Sequence, residues 1–291
     1  MPVSKSRVYQ LAQDWKGFDA IKHLVVFGDS YSSVGYDSRS PHPSLAKPLG
    51  VTFPGPFNFL WNEPDLPNWV GHLISTHRGS KAPLLVYDYA VGGHRLSGVN
   101  SQITNHFLPD VGKKPDWAPW TPSDTLFVTW VGINDCAYAN GGEYGSLLEE
   151  FFRLQQKLYE AGARNFLFID VPPIERSPAI PDHASEAYSA KYLNWNAELS
   201  KQTEKFVQSH PDVSAFVFSS WQTFSCILDD PDIYGFLPSA ARQYGGDVWY
   251  DHLHPTSAVH KIICDDFYQF VSSIPPHEEK VAAEVNSEEP V

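Results

Sequence analysis

Three residues of this chain have the types and spacing needed for nucleophilic chemistry: Ser30 near one end, and Asp251 and His254 near the other. Ser30 closes the run LVVFGDS, in which an apolar segment stops at a Gly-Asp-Ser turn, as a buried strand does. A serine hydroxyl becomes a nucleophile when a base accepts its proton and an acceptor orients that base. Asp251 and His254 share one short segment, so the carboxylate could face the imidazole. Ser30 is therefore a candidate nucleophile.

Each of these residues also has an ordinary structural interpretation. Gly, Asp and Ser are common turn residues, and a serine here could simply cap a helix. Asp251 could be a helix N-cap beside a surface histidine, and His252 could equally be the partner of the carboxylate. Two histidines near an aspartate also suggest a metal site, but no fourth ligand stands at a recognisable spacing and no His-Glu-x-x-His motif occurs. We therefore expect no metal.

Two further segments offer hydrogen-bond donors of the kind that acyl transfer requires for its developing oxyanion. The segment DYAVGG ends an apolar run in paired glycines, Gly92 and Gly93, whose backbone N–H groups a ligand can approach closely. The segment WVGIND ends the next run with Asn134, which offers a side-chain amide. Taken singly, each is better explained as an ordinary Gly/Asn turn. Together with the Gly-Asp-Ser turn they form a set of polar strand ends.

The pattern of apolar residues predicts the elements that would position these groups. Five short apolar runs, at 24–27, 84–89, 126–131, 165–171 and 213–218, are typical of strands buried on both faces. Amphipathic patterns at 146–161, 184–209 and 257–273 predict helices between and after them. Alternating strands and helices indicate a single α/β domain, a three-layer α/β/α sandwich around a mostly parallel five-stranded sheet. We place this domain at 21–274, after an N-terminal extension (1–20) and before a disordered acidic tail (275–291).

Composition and charge narrow the class of partner. The 291 residues carry 34 Asp and Glu against 21 Lys and Arg, a net charge of -13. Such a surface repels phosphate backbones and anionic lipid, so we expect neither nucleic acid nor membrane as a partner. No signal peptide is visible, the three cysteines form no disulfide framework, and no N-glycosylation sequon occurs. These features predict an intracellular protein, the alternative being a secreted enzyme whose signal peptide has been removed. The oligomeric state stays open.

The four motifs, in their order along the chain, resemble the SGNH (GDSL-type) hydrolase superfamily over about residues 22–270. Among its branches the chain is most similar to the fungal acetylesterases of carbohydrate esterase family 16, on the segments VVFGDSYS, DYAVGG, WVGINDC and the Asp-x-x-His-Pro-Thr ending. The resemblance implies a flavodoxin-like fold and no cofactor. Mapped onto this sequence, it implies the nucleophile and one backbone oxyanion donor at Ser30, further oxyanion donors at Gly93 and Asn134, the general base at His254 and its orienting acid at Asp251.

The sequence departs from the superfamily pattern at a few positions near these motifs. In the segment VVFGDSYS, Tyr31 stands where the superfamily usually has Leu. In DYAVGG, Asp88 stands at the first position, where Asn is frequent. His94 and Arg95 follow Gly93 where smaller residues are usual. Because these two residues lie beside the expected oxyanion hole, we expect them to change the substrate preference more than the catalytic mechanism. We therefore predict His94 as a substrate-binding residue.

Two long loops, at 35–68 and 109–122, are rich in Pro, Gly and aromatic residues, and loops of this length are usually functional. Most of the nine tryptophans should be core residues. Trp61, Trp117 and Trp120 lie in these loops and Trp249 adjoins the Asp–His segment, so we expect some of them to line the site, with Trp61 and Trp249 binding substrate. Sugar rings stack on such surfaces, and apolar acyl chains would fit them too.

The resemblance thus predicts a serine esterase that releases acetyl groups from short-chain esters, with acetylated (xylo)oligosaccharides as the expected substrate. A lipase or phospholipase of the same superfamily, acting on longer acyl chains, is the alternative. A non-catalytic binding protein with this fold is less favoured because all five catalytic positions are filled.

Overall fold

The computed structural model describes residues 5–55, 61–78, 83–138 and 144–278. Its centre is a six-stranded sheet with the strand order β1-β6-β5-β4-β2-β3. The strands are β1 (Arg7–Gln10), β2 (His23–Gly28), β3 (Leu85–Asp88), β4 (Thr125–Trp130), β5 (Asn165–Ile169) and β6 (Ser214–Phe218). Strands β2 to β6 run parallel, and β2, β4, β5 and β6 are buried along their whole length. The mostly parallel α/β class predicted from the sequence is therefore confirmed.

The predicted number of five strands is wrong, because a sixth strand, β1, forms one edge of the sheet. β1 pairs antiparallel with β6, with Arg7 opposite Val217. It lies within the segment that the sequence analysis set apart as an N-terminal extension. The strand is short, and Arg7 and Val8 on it are exposed, so it lacks the apolar run that marks the other strands. Its place is decided by the open edge of β6, a partner more than 200 residues away in the chain.

Helices cover the sheet. In the described part of the chain the α-helices are α1 (Trp69–His72), α2 (Leu96–Ser101), α3 (Ile133–Tyr138), α4 (Gly145–Glu160), α5 (Ser185–Ser209), α6 (Ser220–Asp229) and α7 (Ser257–Ser273). The helices predicted from periodicity correspond to α4, α5 and α7 within a residue. Helices α1 and α2 each continue into a π-helical turn, at Leu73–Arg78 and Gln102–Phe107.

The topology gathers the polar segments at one edge of the sheet. β3 lies on one side of β2 and β4 on the other, so the strand order reverses beside β2. Ligands of open α/β sheets bind outside the carboxyl ends of the strands at such a reversal. Asp29 and Ser30 follow β2, the segment 89–93 follows β3, and the segment 131–134 follows β4. The chain therefore brings these three segments together at the same end of neighbouring strands.

Two parts of the sequence interpretation fall outside the described residues. These are positions 56–60 of the loop predicted at 35–68, and positions 279–291 of the acidic tail. Among the helices that the structure does describe, none is long and apolar enough to cross a membrane.

Candidate active site

Ser30, His254 and Asp251 form a continuous chain of hydrogen bonds. His254 Nε2 lies 2.9 Å from Ser30 Oγ, and His254 Nδ1 lies 2.8 Å from Asp251 Oδ2. Ser30 and His254 are 7% and 6% exposed, so the contact between them is largely shielded from water. This is the geometry in which an imidazole can accept the proton of a serine hydroxyl while a carboxylate holds the ring.

The carboxylate of Asp251 is fixed by the loop that carries it. Its Oδ1 accepts hydrogen bonds from the backbone N–H groups of Leu253 and His254, both at 2.7 Å. Partial burial raises the pKa of Asp251, but the bonds from the His254 ring and from the two N–H groups outweigh burial and lower the pKa to about 2. Because an ionised carboxylate only accepts, Nδ1 of His254 carries the hydrogen, and in the neutral ring Nε2 is then the acceptor facing Ser30.

Tyr31 joins the serine turn to the histidine loop. Its hydroxyl donates to the carbonyl of Leu253 at 2.7 Å, and its ring lies 5.9 Å from that of His254. The side chain is fully buried. Sequence reasoning treats Tyr31 only as a neighbour of the serine, whereas the structure gives it a contact that fixes the distance between the two ends of the site.

The segment DYAVGG leads into a tight turn at Val91–His94. The N–H of His94 donates to the carbonyl of Val91 at 3.1 Å, and Gly93 has a φ of 77°, which suits the third position of a type II turn. The space where a side chain of Gly93 would stand is open, and the residue is exposed. Among the described residues, no acceptor faces the N–H of Gly93 or the N–H of Ser30.

Asn134 lies next to this turn and donates both hydrogens of its amide. Nδ2 is 3.0 Å from the carbonyl of His94 and 3.3 Å from Asp29 Oδ2. Asp29 is fully buried, which raises the pKa of its carboxyl to about 7 against the opposing hydrogen bonds from Tyr31 and Asn134. The structure thus brings Asn134 against both the serine turn and the glycine turn.

Of the predicted aromatic residues, Trp61 is beside the site. Its ring centroid is 4.9 Å from that of His254, and its indole covers Gly92 so closely that a Cβ there would lie 2.2 Å from the ring. His94 is partly exposed, and its ring nitrogen Nδ1 contacts Gln102 rather than open solvent.

The prediction that Trp249 binds substrate is wrong. Its side chain is fully buried, its Nε1 donates to the carbonyl of Ala241, and its ring packs 5.7 Å from that of Phe224. Trp120 is likewise a core residue, 1% exposed. Trp117 is partly buried and stacks on His42, with 3.5 Å between ring centroids.

The structure separates the two histidines of the C-terminal loop. His252 is 62% exposed, and its Nδ1 is 4.0 Å from Asp251 Oδ1, whereas His254 makes the short contacts to both Asp251 and Ser30. Within the described ranges, no group of three or more His, Cys, Asp or Glu side chains is arranged to hold a metal ion.

Two buried residues contact the site but are not among the candidates from the sequence. Asp135 directly follows Asn134 in the segment WVGIND, and its Oδ1 accepts the N–H of Leu96 at 3.0 Å, which attaches the first turn of α2 to this segment. Gln102, 2% exposed, contacts both Gly28 and His94 and lies in none of the motifs. No local pattern identifies these contacts, because the partners lie between 8 and 74 positions away.

An α/β sheet with a Ser–His–Asp chain at the carboxyl ends of its strands defines a class of hydrolases, and the comparison with known proteins names the family. The chain belongs to the family GDSL-like Lipase/Acylhydrolase, which it matches over residues 24–267.

Within that family it is a carboxylic ester hydrolase. It is 32% identical to an acetylesterase from Thermothelomyces thermophilus over 268 residues, 83% of this chain and 85% of the relative. A thermolabile hemolysin from Vibrio parahaemolyticus is 22% identical, and the match spans 63% of its length. Among solved structures, an acetyl xylan esterase from Geobacillus stearothermophilus superposes with a TM-score of 0.54 at 14% identity, covering 87% of this chain and 96% of the other. This last likeness shows the fold alone.

Proposed function

We propose that this protein is a serine esterase that removes acetyl groups from acetylated oligosaccharides. The observation that carries the proposal is the hydrogen-bonded chain Ser30–His254–Asp251, with the N–H groups of Ser30 and Gly93 facing no acceptor among the residues that the structure describes. The Thermothelomyces relative is named an acetylesterase, and the structural neighbours include acetyl xylan esterases.

In the proposed mechanism, Ser30 Oγ attacks the ester carbonyl carbon while His254 Nε2 accepts the hydroxyl proton. The carbonyl oxygen becomes an oxyanion that receives hydrogen bonds from the N–H groups of Ser30 and Gly93. His254 then gives the proton to the leaving alcohol, and an acetyl-enzyme remains. Water, deprotonated by His254, attacks the acetyl carbon, and acetate leaves as Ser30 recovers its proton.

Asn134 would supply the third oxyanion donor. Both hydrogens of its amide already have acceptors, so a substrate oxygen has to share one of them. The bond to Asp29 is the longer one, at 3.3 Å, and is the weaker by geometry. We therefore expect the hydrogen that faces Asp29 to serve the oxyanion, while the bond to the His94 carbonyl keeps the amide in place.

Replacing Asn134 with alanine should lower kcat for acetate esters by about 10²–10³-fold and change KM little, since the donor acts mainly on the oxyanion of the transition state. The measurement is steady-state kinetics on p-nitrophenyl acetate. Asn105→Ala is the control, because its amide donates to Ser101 on an exposed helical turn. A kcat for Asn134→Ala within twofold of wild type would remove Asn134 from the oxyanion hole.

The position of Trp61 supports a sugar as the leaving alcohol. His254 has to lie beside the leaving oxygen in order to protonate it, and Trp61 stands 4.9 Å from the His254 ring. In the bound ester, the rest of the alcohol would therefore lie against the indole of Trp61, an aromatic surface on which a sugar ring can stack.

Trp61→Ala should raise KM for an acetylated xylo-oligosaccharide about tenfold, because losing about 50 Å² of buried apolar contact costs about 1.3 kcal/mol. Hydrolysis of methyl acetate, whose alcohol cannot reach the ring, should keep its KM. Trp117→Ala serves as the control, since its ring stacks on His42. An equal rise of KM for both esters would contradict a role of Trp61 in holding the sugar.

The substrate assignment is tested by incubating the protein with acetylated xylo-oligosaccharides and following the loss of acetyl mass by mass spectrometry. Loss of acetyl groups from the oligosaccharides is the expected result. A parallel panel of p-nitrophenyl esters from acetate to palmitate distinguishes the lipase alternative. Activity that peaks at long chains, with no deacetylation of the sugar, would overturn the proposal.

A further inference from the structure

The side chain of Gln102 bridges the nucleophile strand and the oxyanion turn. Gln102 directly follows α2 and begins the π-helical turn Gln102–Phe107, and its side chain is buried. Gly28 N–H lies 3.0 Å from its Oε1, the carbonyl of Gly28 lies 2.8 Å from its Nε2, and His94 Nδ1 lies 2.9 Å from the same Nε2. Local π-helical turns of this kind occur frequently at functional sites.

The chemistry of these groups fixes which atom donates. A backbone N–H only donates, so the Gln102 atom facing Gly28 N–H is the amide oxygen. The amide nitrogen then has two hydrogens, one for the Gly28 carbonyl and one for His94 Nδ1. His94 Nδ1 is therefore an acceptor, and the hydrogen of the neutral ring is on Nε2. Burial lowers the pKa of His94, which agrees with a neutral ring.

These contacts connect the segment of the proposed nucleophile with the segment of the proposed oxyanion donor. Gly28 precedes Ser30 by two positions, and His94 directly follows Gly93. The turn that carries Gly93 is attached at its start by Val91 N–H to the Gly28 carbonyl at 3.2 Å, and at its end by the Asn134 amide to the His94 carbonyl. The Gln102 amide completes this frame, because it connects the His94 ring with the Gly28 backbone.

We propose that Gln102 is a positioning residue of the esterase, which sets the distance between Ser30 Oγ and the Gly93 N–H through Gly28 and His94. The inference rests on the proposed esterase function. Gln102 touches neither substrate nor the reacting atoms, and its effect reaches the oxyanion only through the turn. Because a misplacement of about 1 Å at a reacting centre can cost 10²-fold, loosening the turn should lower the rate of the chemical step.

The first test is Gln102→Met, which keeps the length of the side chain and removes all three hydrogen bonds. We expect kcat for p-nitrophenyl acetate to fall about 10- to 100-fold, with KM within about twofold. Methylboronic acid, which forms a tetrahedral adduct with a serine oxygen, should lose affinity by the same factor as kcat/KM, because it depends on the same donors. Gln155→Met is the matched control, since Gln155 is a fully buried glutamine of α4.

A second variant tests the hydrogen-bond pattern itself. Gln102→Glu keeps an acceptor for Gly28 N–H but places a carboxylate oxygen against His94 Nδ1, so a bond forms only when that nitrogen is protonated. The pKa of His94, followed through its ring nitrogens by NMR, should therefore rise in Gln102→Glu. In the wild-type protein Nδ1 should give the signal of an unprotonated acceptor.

Different results would contradict the role of Gln102 and the proposed esterase function. A kcat of folded Gln102→Met equal to that of wild type, or a boronic acid affinity that does not follow kcat/KM, would overturn the role of Gln102. A protonated His94 Nδ1 in the wild-type protein would do the same. If Ser30→Ala retained activity, the esterase site itself would be wrong, whatever the Gln102 variants show.

Discussion

Replacing Ser30 with alanine is expected to lower kcat for acetate esters by about 10⁵–10⁶-fold, as loss of the nucleophile does in other Ser–His–Asp enzymes. In the proposed mechanism the acetyl-enzyme forms on this hydroxyl. The fold should be retained, because the change removes one oxygen atom and leaves the backbone of the serine turn intact. The measurement is acetate release by purified protein, with the melting temperature measured alongside.

Ser33→Ala is the matched control for this variant. Ser33 lies in the same turn, where its backbone N–H donates to the Asp29 carbonyl, a bond that alanine keeps. A serine-reactive fluorophosphonate should label the wild-type protein and Ser33→Ala, but not Ser30→Ala. If folded Ser30→Ala kept more than about a tenth of wild-type activity, the nucleophile would have to be sought elsewhere.

Replacing Asp251 with asparagine should cost about 10⁴-fold in kcat, less than the loss of Ser30, and the physical reason lies in the loop. Two backbone N–H groups face Oδ1 at 2.7 Å, so the asparagine has to keep its oxygen there. Its NH₂ group then faces His254 Nδ1. Because an amide NH₂ group only donates, Nδ1 has to be an acceptor without a hydrogen. The hydrogen of the neutral ring moves to Nε2, and the nitrogen that faces Ser30 can no longer take its proton.

The shift of this hydrogen can be observed directly. NMR of the His254 ring should show Nδ1 protonated in the wild-type protein and Nε2 protonated in Asp251→Asn at neutral pH. Asp265→Asn is the control, since Asp265 makes a 2.8 Å contact with His77 on the surface. A wild-type kcat in Asp251→Asn would show that the carboxylate does not orient the base.

Ionisation of Asp251 should persist over the working range of the enzyme. Its hydrogen bonds lower the pKa to about 2, so the carboxylate favours the folded state at pH values above the ordinary value of 3.8. That contribution is lost only as the pH falls from 3.8 through about 2. The residue therefore accepts the Nδ1 hydrogen of His254 at any pH where the imidazole can act as a base.

The class of fold and the polar strand ends follow from local signals in the sequence. Turn residues such as Gly, Asp and Asn at the ends of apolar runs are local signals, and parallel strands place their carboxyl ends at one edge. These signals mark Ser30, the paired glycines and Asn134 as polar strand ends, whereas the roles of Gly93, Asn134 and His254 in one site follow from the resemblance to the SGNH superfamily and belong to the proposed function. The periodicity of α4, α5 and α7 is equally local, and their bounds follow from it within a residue.

The neighbours of the site depend on contacts between residues that are distant in the sequence. Trp61 and Trp249 look alike in sequence, but one lies against His254 and the other is enclosed in the core, because burial depends on which elements pack over a side chain. β1 exists because β6 has an open edge, and its own four residues show no buried pattern. Gln102 acquires its role from Gly28, 74 positions away, and hydrogen bonds between such distant residues leave no local pattern in the sequence.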